Sequence, residues 1–184
     1  TAFLFIAKLT RIAPRFAIAL GLAIQAASGF WLAQLGINLT DFDVFWTNFL
    51  QGLGQSVAFT PITVMAFATL PKEQITEGSG LFTLMRNFGS SLFISISVLV
   101  LVRTGTINYA EMTELVTPYR IALMLPALPD SWNPETTGGL MRLSGEIRRQ
   151  AAMIGYVNAF HMMALTAAAA VPLAFFLRLP RRNN

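Results

Sequence analysis

Residues 81–102 read LFTLMRNFGSSLFISISVLVLV, 22 positions interrupted by a single charge, Arg86. At 1.5 Å per residue this run covers about 33 Å, enough to cross a hydrocarbon core of about 30 Å. Working outward, three more stretches meet the same test: residues 16–35, 45–70 and 152–177. None shows the alternation over about ten residues that marks a membrane barrel strand. The expected fold class is therefore all-α, a polytopic integral membrane helical bundle with four transmembrane helices. Composition agrees, with 54% hydrophobic residues, 12% charged residues and a mean hydropathy of +0.58, against about 25% charged in an average soluble domain.

The chain opens on Thr1 and a short apolar run, residues 2–7, followed by Lys8, Arg11 and Arg15. A signal peptide places its basic residues before the apolar stretch, the reverse of this order. The run reads as the end of a further helix, so the 184 residues are expected to be the C-terminal portion of a longer chain. There is no cysteine, which excludes disulfides and thiol chemistry.

Lysines and arginines set the expected topology. Counted on alternate sides, seven (Lys8, Arg11, Arg15, Lys72, Arg178, Arg181, Arg182) face five (Arg103, Arg120, Arg142, Arg148, Arg149). The five share the long segment 103–150 with five acids, and the short loop 36–43 has no base. The positive-inside rule then places the N-terminal loop and the C-terminus in the cytoplasm and segment 103–150 outside. The net charge of +4 is topological and calls for no nucleic-acid partner.

Residues 38–43 and 71–80 are rich in turn and capping residues and read as tight connections. Segment 103–150 is broken in its middle by Pro118, Pro126, Pro129 and Pro134. After them Leu140, Leu143, Ile147, Ala151 and Ile154 recur at three- and four-residue spacing, which predicts a helix running into the last span. Such a helix reads as an amphipathic collar at the outer interface, or else as a ligand gate.

The first and last spans are made mainly of Ala, Leu, Ile, Phe and Met, as lipid-facing helices are. The two middle spans carry polar stripes. Thr47, Asn48, Gln51 and Gln55 fall within about 100° of each other, and Ser79, Thr83, Arg86, Ser90 and Ser97 within about 60°. Two explanations stand: the stripes line a water- or substrate-filled cavity, or they hydrogen-bond between packed helices. The small pairs Gly52/Ser56 and Ser91/Ser95 suit the second. The substrate-cavity candidates are Gln51, Gln55, Thr83, Arg86 and Ser90. Pro61 removes one helical hydrogen bond, so it is a candidate hinge or simply a kink that fits its neighbours.

An arginine at a bilayer centre costs roughly 2.5 to 3.5 kcal/mol on insertion scales. Arg86 lies only about 7 to 8 Å below Leu81, and side chains lean toward the helix N-terminus, here the cytoplasmic end. Its guanidinium can snorkel or cap carbonyls there, or face the cavity as part of an inner gate. Glu77 is on the opposite face. All nine acids lie in loops or at helix ends, so no span carries a buried carboxylate. His161 is the one titratable candidate left within a span, and its place near the outer end of the last span suits packing or the interface.

The run QGLGQSVAFTPITVMAFATLPKEQITEGSGLFTLMRNFGSSLFISISV (51–98) and the later RQAAMIGYVNAFHMMALTAAAAVPLAFFLRLPR (149–181) resemble the C-terminal end of the fourteen-helix drug/proton antiporters, the EmrB/QacA-like branch of the major facilitator superfamily. The similarity extends over roughly residues 45–182, and the R-N-F-G-S-S and Q-A-A-M-I-x-Y-x-N-x-F stretches carry most of it. It implies that the four spans are the last four helices, the middle two lining a central cavity and the outer two packing behind. It implies multidrug efflux in exchange for protons in a bacterial inner membrane, with small amphipathic substrates and the missing N-terminal helices as partners. A periplasmic adaptor and an outer-membrane channel fit the same picture. No cofactor is implied beyond the proton gradient. One departure concerns AKLTRIAPRF (7–16), which lacks the glycine and acid common in the matching loop and so reads as a basic anchor.

Enzyme chemistry finds no footing, since the sequence holds no metal-ligand cluster, nucleophile with base, or phosphate-binding glycine loop. The alternatives to drug export are a carrier of another small molecule, such as a siderophore, metabolite or sugar, and a membrane protein that assembles without transporting.

Overall fold

The computed structural model describes residues 13–37, 40–68, 70–116 and 136–177. Within them the chain forms four helices: α1 (Pro14–Gln34), α2 (Asp41–Phe67), α3 (Ile75–Glu114) and α4 (Thr137–Phe176), with a single 3-10 turn, Lys72–Gln74, leading into α3. No strand occurs among the described residues. Residues 2–7, Lys8, Arg11, Asn38, the prolines between 118 and 134, Arg120 and the basic tail Arg178, Arg181 and Arg182 lie outside them.

Local chemistry starts each helix. Pro14 occupies the first turn of α1, where its missing N–H costs nothing. Thr40 caps α2 in a reciprocal box: its hydroxyl accepts from the Asp43 amide, and the Asp43 carboxylate accepts from the Thr40 amide, each at 3.3 Å. Asp41 and Asp43 also place negative charge at the positive end of that helix. Thr136 caps α4 by accepting from the Gly139 amide at 3.1 Å.

α1, α3 with its leading turn, and α4 are long and apolar enough to cross a membrane. α2 has the length, at 27 residues, but Asn48, Gln51 and Gln55 interrupt its apolar run, so it holds no stretch as apolar as those of the other three. α3 and α4 are each 40 residues, about 60 Å long and roughly twice the hydrocarbon thickness. The helix expected to run into the last span is present from Thr137, whereas α3, expected to end near Val102, continues to Glu114. The helix breakers begin only at Pro118, so nothing stops α3 at the membrane boundary. α4 runs unbroken from Thr137 into the span, and Ala151 and Ala152 pass beside Gly105 of the antiparallel α3.

α1 packs along α2 and α4, and α4 along α3, whereas α2 and α3 scarcely touch. Small residues set these crossings, because apolar packing in lipid depends on close backbone approach. A Cβ at Gly21 would lie 2.6 Å from the Gly54 carbonyl oxygen of α2, and one at Gly155 would lie 2.6 Å from the Leu101 carbonyl oxygen of α3. A Cβ at Gly29 would lie 3.0 Å from the Ala164 Cβ of α4. The pairs Gly52/Ser56 and Ser91/Ser95 make no such contact among the described residues; a Cβ at Gly52 meets open space, and Ser56 and Ser95 bond to their own helices. Ser28 and Thr47 are fully buried between α1 and α2, where the Ser28 hydroxyl donates to the Thr47 carbonyl at 2.8 Å. Thr47 therefore belongs to the packing explanation of the polar stripe, not to a cavity wall. Ile18, Ala19 and Ala174 close the bundle at the end where α1 begins and α4 finishes.

Candidate functional site

Because α2 and α3 stand apart while α1 and α4 back them, the bundle leaves two cavities along the α2–α3 seam. The first, about 520 Å³, is an open cavity bordered by all four helices and carries Gln25, Gln51, Gln55, Ser90, Met163 and Thr166 on its wall. Gln51 reaches across it, its amide 3.3 Å from the Met163 sulfur. The second, about 1020 Å³, opens between α2 and α3 and is lined by Gln55, Ser56, Phe59, Met85, Arg86 and Asn87 among others. Gln55 and Ser90 border both. The helical period explains the grouping: Gln51 and Gln55 are one turn apart on α2, as are Arg86 and Ser90 on α3.

Arg86 points across the seam, its guanidinium carbon 5.7 Å from the centroid of the Phe59 ring on α2. It makes no ion pair with Glu77; the sole salt bridge among the described residues joins Arg149 and Glu146, far along α4. A cation over an aromatic face contributes about 0.5 to 1 kcal/mol where exposed. The ring thus receives the charge that the sequence leaves to headgroups, carbonyls or a cavity. Among the described residues, Arg86 is the single charged side chain on either cavity wall. Otherwise the walls offer neutral hydrogen-bonding groups and aromatic surface, which suits amphipathic molecules better than a covalent reaction. No cluster of metal-ligating side chains occurs among the described residues.

Of the sequence candidates, Gln51, Gln55, Arg86 and Ser90 are brought together. Thr83 is not: it is exposed and lines neither cavity. Three residues from Arg86, it is rotated roughly 60° on the helix, which carries it past the cavity edge. Pro61 is fully buried within an unbroken α2. His161 lies against Phe30, ring centroids 6.4 Å apart, with Nδ1 3.1 Å from the Val157 carbonyl oxygen, and lines neither cavity. Sequence reasoning passed over Gln25, Met163, Thr166 and Phe59. Gln25 carried a signal, being the lone amide in the middle of α1; the others are ordinary span residues whose role depends on which helix faces which.

An all-helical bundle of long apolar spans around polar, weakly charged cavities is the architecture of a multi-pass membrane protein. The curated relatives narrow this. The chain is 22% identical over 172 residues to the multidrug export protein EmrB of Haemophilus influenzae, covering 92% of this chain and 34% of that protein. It is 28% identical over 97 residues to the colistin resistance protein EmrB of Acinetobacter baumannii, covering 52% and 19%. It is 20% identical over 152 residues to the fatty acid resistance protein FarB of Neisseria gonorrhoeae, covering 82% and 30%. These matches, with the helical bundle, support an EmrB-like portion of a major facilitator transporter, set in the inner membrane by several spans. The chain spans about a third of the length of the first of these relatives. No family model and no solved structure matches it.

Proposed function

We propose that this chain forms part of a proton-coupled multidrug efflux transporter, in which α2 and α3 supply one wall of the substrate pathway. The observation that carries this reading is the convergence of Gln51, Gln55, Ser90 and Arg86 on adjoining cavities, in a chain similar to a protein named for multidrug export. Gln51, Gln55 and Ser90 offer hydrogen bonds to varied substrates, and Phe59 offers a stacking surface. Arg86 sits at the cytoplasmic shoulder and alternates between the Phe59 ring and solvent as the inner mouth closes and opens. Pro61 is the hinge candidate on α2.

The acids of the described helices stand at the start of α2 and around the ends and extramembrane parts of α3 and α4, so proton coupling belongs to carboxylates elsewhere in the transporter. The C-terminus is cytoplasmic by the positive-inside count. The α3–α4 hairpin then faces the periplasm, where an adaptor leading to an outer-membrane channel would dock. The test is drug efflux by the full-length protein in cells stripped of other exporters. Gln51→Ala and Arg86→Ala should each lower the efflux rate at equal membrane abundance, with Arg86→Lys intermediate. Unchanged efflux in all three would remove this site.

A further inference from the structure

Beyond the seam cavities, a third groove of about 410 Å³ runs between α3 and α4, lined by Leu101, Val102, Thr106, Tyr109, Arg148 and Tyr156 over a floor that includes Gly105 and Ala151. Its depth along the membrane follows from the sequence. The apolar run of α3 ends at Val102, and Gly105 packs at the level of Ala151, where the apolar run of α4 begins. Arg148 precedes Ala151 by about 4.5 Å along its helix. The groove thus starts in the hydrocarbon edge and ends in the headgroup layer, which adds roughly 5 to 8 Å on each side of the core.

The charges at this level are not alike. Arg149 is held by Glu146 through two hydrogen bonds, at 2.9 and 3.0 Å. Arg148 is exposed and has no hydrogen bond or ion pair among the described residues. Side chains lean toward the N-terminus of their helix. Tyr156 on α4 therefore leans outward from the apolar wall, and Tyr109 on the antiparallel α3 leans inward toward the same level. Tyrosines at this depth present an apolar ring to the chains and a hydroxyl to the headgroups.

We propose that the groove between α3 and α4 binds one anionic phospholipid, its phosphate on Arg148 at the outer end of the groove, past the tyrosine rings, and an acyl chain along Leu101 and Val102. The unpaired guanidinium supplies the charge complementarity, and its place in the headgroup layer selects a lipid over a soluble anion. This site rests on the membrane depth of the helices and is independent of what the protein exports.

The test is native mass spectrometry of the delipidated full-length protein with added phosphatidylglycerol or phosphatidylethanolamine. The wild type should retain phosphatidylglycerol in preference to phosphatidylethanolamine. Arg148→Ala should weaken that binding about tenfold, the size expected for one charge-assisted contact. Arg149→Ala should leave it within about twofold. Thr106→Trp, which fills the exposed side of the groove and keeps Arg148, should also abolish it. Equal retention of the two lipids, equal losses in both arginine variants, or unchanged binding in Arg148→Ala or Thr106→Trp would overturn the assignment. If Arg148→Ala does not fold, Arg148→Gln replaces it with the same expectations, and Thr106→Trp decides independently.

Discussion

Gly21 is where a single methyl group should do the most damage. In Gly21→Ala the new Cβ would stand 2.6 Å from both the Ala58 nitrogen and the Gly54 oxygen, and 2.8 Å from the Ala58 Cβ. Ordinary contact begins near 3.4 Å, so α1 and α2 must separate by about 0.8 Å, and the opposing atoms are backbone that cannot rotate away. A gap of that size forfeits a quarter to a half of each dispersion contact. With on the order of 40 atom pairs across the crossing at about 0.15 kcal/mol each, the loss is about 1.5 to 3 kcal/mol. The bond from Ser28 to the Thr47 carbonyl spans the same pair of helices and would lengthen, at a further cost of about 0.6 kcal/mol. Alanine returns about 0.5 to 1 kcal/mol through its better helix propensity. The net expectation is a destabilisation of about 2 kcal/mol, read by reversible unfolding of the full-length protein in mixed micelles. Gly52→Ala on the same α2 is the control, because its Cβ meets nothing within 4 Å and only the propensity gain applies. If the two variants unfold within about 0.5 kcal/mol of each other, this reasoning about close crossings is wrong.

Ser28→Ala should cost about 0.6 kcal/mol and at most about 1.7, by the same unfolding assay, since it removes one buried interhelical bond in an apolar setting. Gly155→Val should push α3 from α4 at the Leu101 carbonyl; in a chain without native cysteine, a disulfide between Gly105→Cys and Ala152→Cys should form readily and then fail when Gly155→Val is added. Glu146 should titrate below its ordinary range, because hydrogen bonds from Arg149 and then Gln150 hold its carboxylate charged. The sign follows: that bonding contributes above the ordinary carboxylate pKa and is lost as pH falls through the depressed one. Arg149→Ala should move the Glu146 carboxyl resonance in NMR titration back toward the ordinary value.

How much of this was legible without coordinates depended on the kind of signal. Apolar length predicts helices well, because a span has to satisfy every backbone group internally, and α1, α3 and α4 lie where the runs place them. The same signal misjudges where they end. Residues 103–114 are polar enough to leave the membrane and contain no breaker, so hydropathy stops at Val102 while the backbone continues to Glu114. The polar stripe of α2 shows the next limit. Periodicity groups Thr47 with Gln51 and Gln55, yet Thr47 is buried against Ser28 and the glutamines face the cavity. A stripe fixes a face of one helix; which neighbour meets that face is decided by the glycine crossings, and these appear only when two helices are laid together.

Arg86 brings these threads together. Its chain neighbours carry the family resemblance and its depth suggests a snorkelling charge, but neither discloses the Phe59 ring on the opposite helix. That contact bridges α2 and α3, the two helices with least direct packing between them. A weak cation–π bond across a loosely packed seam can break and re-form without dismantling the bundle, whereas the crossings at Gly21, Gly29 and Gly155 cannot open without losing backbone contact. The packing locks α2 to α1, α1 to α4 and α4 to α3, so the contact free to change across the front is the Arg86–Phe59 pair and not the helix crossings. Phe59→Leu should therefore alter efflux in the same direction as Arg86→Ala while leaving unfolding stability within about 1 kcal/mol of the wild type, since Phe59 is more than a third exposed and sits at no close crossing. A Phe59→Leu protein with normal efflux and impaired stability would reverse that assignment.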